Sequence, residues 1–215
     1  MAKAAIPTLG FHIPRRPHGI GQRLAAGLLR WHGWRVDAPP DLPKLVVCGV
    51  PHTSNWDGYY AMVTVLALRL RISIMIKQSM MNSPLRPLLR WVGFFGIDRS
   101  APGGVVESTA QLMQEAQAFW FCIAPEGTRH GAKDLKSGFY RIAVAANTPI
   151  SMACINYQTR HIRFTEPLQP SGDWEADRRR LLELVGSDFH PRNPHRLSAA
   201  MQEAQALSQE GSKAA

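Results

Sequence analysis

Long hydrophobic runs are missing from this chain. A helix that crosses a bilayer needs roughly 20 mostly apolar residues, and the most apolar window, 45–68, carries His52, Asn55 and Asp57 in its middle. No segment is expected to span a membrane. The opening stretch MAKAAIPTLGFHIPRRPHG is broken by prolines and arginines, so no secretory signal is expected either. Cysteine is scarce: Cys48, Cys122 and Cys154 each sit in an apolar run and share no redox or ligand spacing. They read as small buried hydrophobes of a reducing, cytoplasmic compartment. The eight histidines form no H-E-x-x-H or Cys-His pattern, so no metal site is expected. G-x-S-x-G is absent, which argues against a nucleophile-elbow hydrolase. Gly19-Ile20-Gly21 lacks the third glycine and the preceding strand of a dinucleotide fingerprint, and there is no phosphate loop.

Acid is also missing where base is plentiful. Between Asp57 and Asp98 there is no Asp or Glu, yet Arg69, Arg71, Lys77, Arg86 and Arg90 lie there, and the whole chain carries +9. Such a balance implies an anionic partner: nucleic acid, a phosphate-rich substrate or a bilayer face. No helix-turn-helix, zinc or single-strand-binding pattern accompanies the charge, so no nucleic-acid partner is expected. The same segment interleaves its cations with Met80, Met81, Leu85, Leu88, Leu89, Trp91, Phe94 and Phe95. That mixture suits anionic headgroups over an apolar layer, or else a core with a basic rim.

What is present points to one domain, since 215 residues with 45% apolar content can bury one sizeable core. The first 44 residues hold seven Lys/Arg against two Asp, and GQRLAAGLLRWHGWRV at 21–36 spaces Leu, Trp and Arg as a helix does. This basic amphipathic arm, 1–43, suits either a lipid interface or a core-packed helix with a solvated face. From Lys44 onward, short runs such as LVVCGV, ISIMIK, FWFCIA and ISMACINY alternate with helical lengths. The alternation predicts an α/β domain over 44–207, with a largely parallel central sheet flanked by helices and catalytic groups at strand carboxyl ends. A loosely ordered tail is expected over 208–215.

Three clusters carry chemistry. In VVCGVPHTSNWDGYY a histidine follows a strand, and an aspartate comes five residues later. Within one helix that spacing turns roughly 140°, which would hold the two side chains apart. His52 is therefore expected in a loop, with Thr53, Ser54 or Asn55 capping the helix and Asp57 in its first turn. There the imidazole can bend back to the carboxylate and leave its other nitrogen free to accept a proton. The second cluster, IAPEGTRHG, sets Glu126, Gly127, Thr128 and Arg129 in a turn able to fork a phosphate. The third, GFFGIDRS, ends an apolar run in Asp98 and Arg99, a pair that also fits an ordinary surface ion pair.

Taken together and in this order, the clusters resemble the glycerolipid acyltransferase family, typified by lysophosphatidic acid acyltransferases. The family's H-x-x-x-x-D motif corresponds to His52 and Asp57, and its Gly-apolar-apolar-x-Arg block runs from Gly93 to Arg99. E-G-T-R corresponds to Glu126, Gly127, Thr128 and Arg129, and an apolar block surrounds Pro149. The resemblance implies that His52 is the general base on an acceptor hydroxyl and that Asp57 orients it. It also implies that Arg99 and the residues Glu126, Gly127, Thr128 and Arg129 hold a glycerol phosphate. The donor would be acyl-CoA or acyl carrier protein, a substrate rather than a cofactor, and no cofactor is implied. The acceptor would be a lysophospholipid, with 1-acylglycerol-3-phosphate first and a lyso-aminolipid as the alternative. The work would be done at the cytoplasmic face of an anionic membrane. Pro51, Gly96, Ala124, His130 and the pair Ser151 and Met152 depart from the family pattern and flank the acceptor pocket, so they leave the acceptor open. A non-catalytic membrane-surface module is the competing reading from another class.

Overall fold

The computed structural model describes residues 6–77, 81–84, 86–97 and 104–214. In chain order the elements are α1 (Ile20–Trp31), β1 (Arg35–Val36), β2 (Lys44–Val50), α2 (Asn55–Ala67) and β3 (Ile72–Lys77). They continue with α3 (Arg86–Val92), β4 (Phe94–Ile97), α4 (Gly104–Glu115), β5 (Phe119–Ile123), α5 (Gly138–Ala145) and β6 (Ile150–Asn156). Then come β7 (His161–Phe164), α6 (Trp174–Val185), a 3-10 turn (Pro194–Arg196) and α7 (Ala199–Ala214). Among the described residues the strands form one seven-stranded sheet in the order β1-β7-β6-β2-β5-β3-β4.

Strand β2 shows why its sequence reads as an unbroken apolar run. Successive side chains of a strand point to opposite faces, and both faces are covered here. Val46, Cys48 and Val50 enter a core with α4, α5, α6 and α7, whereas Leu45 and Val47 enter a second core with α1 and α2. Phe121 and Trp120 of β5 divide between the same two cores. Burying each such side chain contributes about 1.5–3 kcal/mol, so the sheet is clamped from both sides.

The block β6, β2, β5, β3, β4 is parallel throughout, so the fold is the largely parallel α/β sheet expected from the sequence. Only the far edge departs from this: β7 runs antiparallel to β6 through a short turn, and β1 pairs with β7. The N-terminal arm is accordingly not an appendage, since Ile13, Ala25, Ala26, Leu29, Trp34 and Val36 are all buried in the α1–α2 core. Where a loose tail is expected from Ser208, α7 continues to Ala214. Its buried Ala200, Met201 and Ala204 anchor the helix, and Leu207 packs against the same core, so the remaining turns propagate from an anchored start.

Candidate active site

Cys48 of β2 pairs with Ile123 of β5, so the loops following these two parallel strands leave the sheet side by side. One carries His52 and the other Glu126. The first loop is closed by Ser54, which caps α2 through its hydroxyl to the Trp56 amide at 3.0 Å. Asp57 completes a capping box by reaching back to the loop. Its Oδ2 accepts the amides of Thr53 at 2.6 Å and Ser54 at 2.7 Å. The same oxygen lies 3.6 Å from His52 Nδ1, within ion-pair distance. His52 stands in the loop and Asp57 in the first helical turn, the arrangement that avoids the 140° divergence of a continuous helix.

Two partners of this pair come from far along the chain. Tyr157, just beyond β6, donates its hydroxyl to Asp57 Oδ1 at 2.7 Å. Asn193 clasps the loop by donating its Nδ2 to the Thr53 carbonyl at 3.1 Å. Burial works to raise the Asp57 carboxyl, but His52, the Tyr157 hydroxyl and the amides of Ser54 and Thr53 together hold it below the usual carboxylate range. Asp57 is thus an anion placed beside an imidazole.

Glu126 is almost wholly buried, at 3% exposure. Its Oε2 accepts the His52 amide at 2.6 Å, and its Oε1 accepts the Ser198 hydroxyl at 2.6 Å. Both oxygens therefore face the protein's own donors and brace the backbone of His52 against the start of α7. Burial, reinforced by the nearby Asp57 charge, raises the Glu126 carboxyl above its ordinary range despite those two bonds.

Beyond Glu126 the loop turns outward, leaving Gly127, Thr128 and Arg129 exposed. Gly127 has φ +64, a left-handed conformation that favours glycine. Lys136 crosses this turn, the flexible end of its side chain lying against Gly127. Arg99 falls outside the described residues, as does Asp98.

An apolar cavity of about 400 Å³ opens beside His52 and runs between α2 and the sheet, past Val65, Ile72 and Trp120. Gly49 and Gly58 line it, and a Cβ at either would project into open space, so two missing side chains keep it clear near the histidine. Cys122 also lines the cavity, but burial pushes its thiol up to about 12, as it does for Cys154. Thiols held that high are poor nucleophiles. His52 is thereby the basic group at a junction of three parts: an anionic partner, an apolar cavity and an exposed cationic turn.

Sequence reasoning brought out His52, Asp57 and the turn at 126–129, and it missed Tyr157, Asn193 and Ser198. Only Tyr157 carried a signal, because it follows the run ISMACINY at a strand's carboxyl end. A family model described as Acyltransferase matches residues 35–156. No curated protein matches the chain. Among solved structures, the chain is similar to the 1-acyl-sn-glycerophosphate (LPA) acyltransferase PlsC from Thermotoga maritima. That likeness has a TM-score of 0.53 and 16% identity over 76% of this chain and 75% of that one, and it is a likeness of fold.

Proposed function

Because the chain belongs to the acyltransferase family, whose model spans residues 35–156 of its 215, we propose that it moves a fatty acyl group from a thioester onto a lysophospholipid hydroxyl. The donor is acyl-CoA or acyl carrier protein, and the leading acceptor is 1-acylglycerol-3-phosphate, the substrate type named for the Thermotoga maritima protein. The observation that carries this reading is the position of His52 between the apolar cavity and the exposed turn of Gly127, Thr128 and Arg129. The cavity suits an acyl chain. The turn, with Lys136 against Gly127 and Arg129 exposed, suits a phosphate, and the family resemblance assigns Arg99 the same role.

In the proposed reaction the acceptor hydroxyl gives its proton to His52 Nε2 as its oxygen attacks the thioester carbonyl. Asp57, facing Nδ1, stabilises the imidazolium that forms. The tetrahedral adduct then collapses with cleavage of the carbon–sulfur bond, and the departing thiolate takes the proton back from His52. An ester and a free thiol result. No enzyme nucleophile is required, because the thioester is already activated.

The test is direct. Purified protein is given labelled acyl-CoA or acyl carrier protein with a panel of lysophospholipids and one lyso-aminolipid, and products are read by lipid mass spectrometry. Acylated product on the phosphate-bearing acceptors is expected, and transfer to none of the panel would sink the reading.

Such an acceptor lives in a bilayer, and among the described residues no helix is long and apolar enough to cross one. We place the chain instead on an anionic membrane surface, at the cytoplasmic face, through α1. That helix buries Ala25, Ala26 and Leu29 and leaves Ile20 and Leu24 exposed one turn apart, with Arg23 and Arg30 beside them. Nonpolar side chains flanked by cations match the interface of an anionic bilayer. Replacing both Ile20 and Leu24 with Glu should weaken co-sedimentation with anionic vesicles at least about tenfold, since each apolar side chain withdrawn forfeits about 1.5–3 kcal/mol. Binding that ignores the double change would remove α1 from the docking face.

A further inference from the structure

A second, larger concavity of about 930 Å³ is lined by Tyr157, the partner of Asp57, and its character is different. It is walled by the aromatic rings of Trp31 and Tyr157 and by the cationic or polar heads of Arg160, Arg192 and His190. No carboxylate lines it. Arg192 is exposed, lies 5.0 Å over the Trp56 ring and 5.8 Å from that of Tyr157, and makes no ion pair among the described residues. Nδ1 of His190 is buried without a hydrogen-bond partner among the described residues. Planar walls with unneutralised guanidinium groups fit a ligand that carries both an aromatic base and phosphate.

The groove shares its wall with the reactive centre. Tyr157 lines it and donates to Asp57, while Asn193 lines it and clasps Thr53 next to His52. A thioester held at His52 has a chain for the apolar cavity, and the acceptor's phosphate has the turn at 127–129. The donor's headpiece still needs a place. A carrier protein presents its thioester on a phosphodiester with no base, which leaves aromatic walls unused, whereas CoA ends in an adenine nucleotide with several phosphates. We propose that this groove binds the phosphorylated adenine nucleotide of an acyl-CoA donor, an assignment that rests on the acyltransferase reading above.

The experiment uses 3′,5′-ADP, which carries the base and phosphate but no thioester. It should bind the full chain in a calorimetric titration, compete with acyl-CoA, and bind about ten- to hundredfold more weakly to Arg192→Gln, the range expected for one charge-assisted bond. Arg160→Gln, the second variant, should act in the same direction. In turnover each variant should raise the KM for acyl-CoA by a similar factor and leave kcat and the acceptor KM nearly unchanged. A truncated donor, the N-acetylcysteamine thioester, should react equally with the native chain and both variants. Three results overturn the proposal: no binding of 3′,5′-ADP, equal losses with the truncated donor, or an Arg192-dependent preference for lysophosphatidic acid vesicles over 3′,5′-ADP. Turnover with acyl carrier protein but no 3′,5′-ADP binding would remove the groove assignment and leave the acyltransferase reading intact. Arg192-dependent nucleotide binding with no transfer from any thioester would do the reverse.

Discussion

His52→Ala should lower acyl transfer by about 10²–10⁴-fold, the usual contribution of a positioned general base, while the protein remains folded. The side chain can be removed cheaply because the fold uses its backbone and not its ring: the His52 amide is held by Glu126, and the imidazole is partly exposed. The loss should fall on kcat. The cavity and the exposed turn, which bind the two substrates in our reading, are untouched by the change. Circular dichroism and thermal unfolding close to the native curve, together with undiminished turnover, would show that another group takes the proton. The buried thiols are poor candidates for that part, since Cys122 and Cys154 are both pushed up to about 12.

Glu126→Ala should instead act on the fold. Removing the carboxylate strands two donors, the His52 amide and the Ser198 hydroxyl. Each unpaired group costs about 1–3 kcal/mol, so unfolding in urea should shift by about 2–6 kcal/mol. Some of this is offset, because the raised Glu126 carboxyl already suffers from its burial. Glu126→Gln should recover much of the loss, with the amide oxygen accepting from His52 and the amide nitrogen donating to the Ser198 oxygen. Turnover should fall along with stability, because Glu126 fixes where His52 stands. A Glu126→Ala protein of native stability whose only defect is a raised acceptor KM would make Glu126 a substrate ligand rather than a brace.

Much of the site is legible in the sequence, and the legible part is local. The turn of a helix per residue is set by covalent geometry, so the five-residue step from His52 to Asp57 already required a loop histidine and a first-turn aspartate. Ser54 as the cap and Gly127 as the turn residue follow from equally short-range rules. The alternation of strand-like and helical runs likewise announced a largely parallel sheet. Distant partners left no such trace. Tyr157 meets Asp57 across 100 residues, and Ser198 meets Glu126 across 72.

Nothing in the intervening chain encodes those meetings as a spacing. They exist because β2 lies between β5 and β6, which brings three strand ends to one edge, and because α7 packs its start against the loop after β5. The same holds for α1. Its sequence showed Leu, Trp and Arg at helical spacing, yet it could not say which face would be covered, because that depends on where α2 lies. By itself the sequence determined what a few consecutive residues can do: the histidine–aspartate pair, the capped helix, the glycine turn and the class of fold. Tertiary structure alone decided that Glu126 braces the backbone, that Tyr157 holds the carboxylate, and which aromatic and cationic side chains line one groove. Strand order and helix packing set those contacts, and burial of the whole core selects both at once.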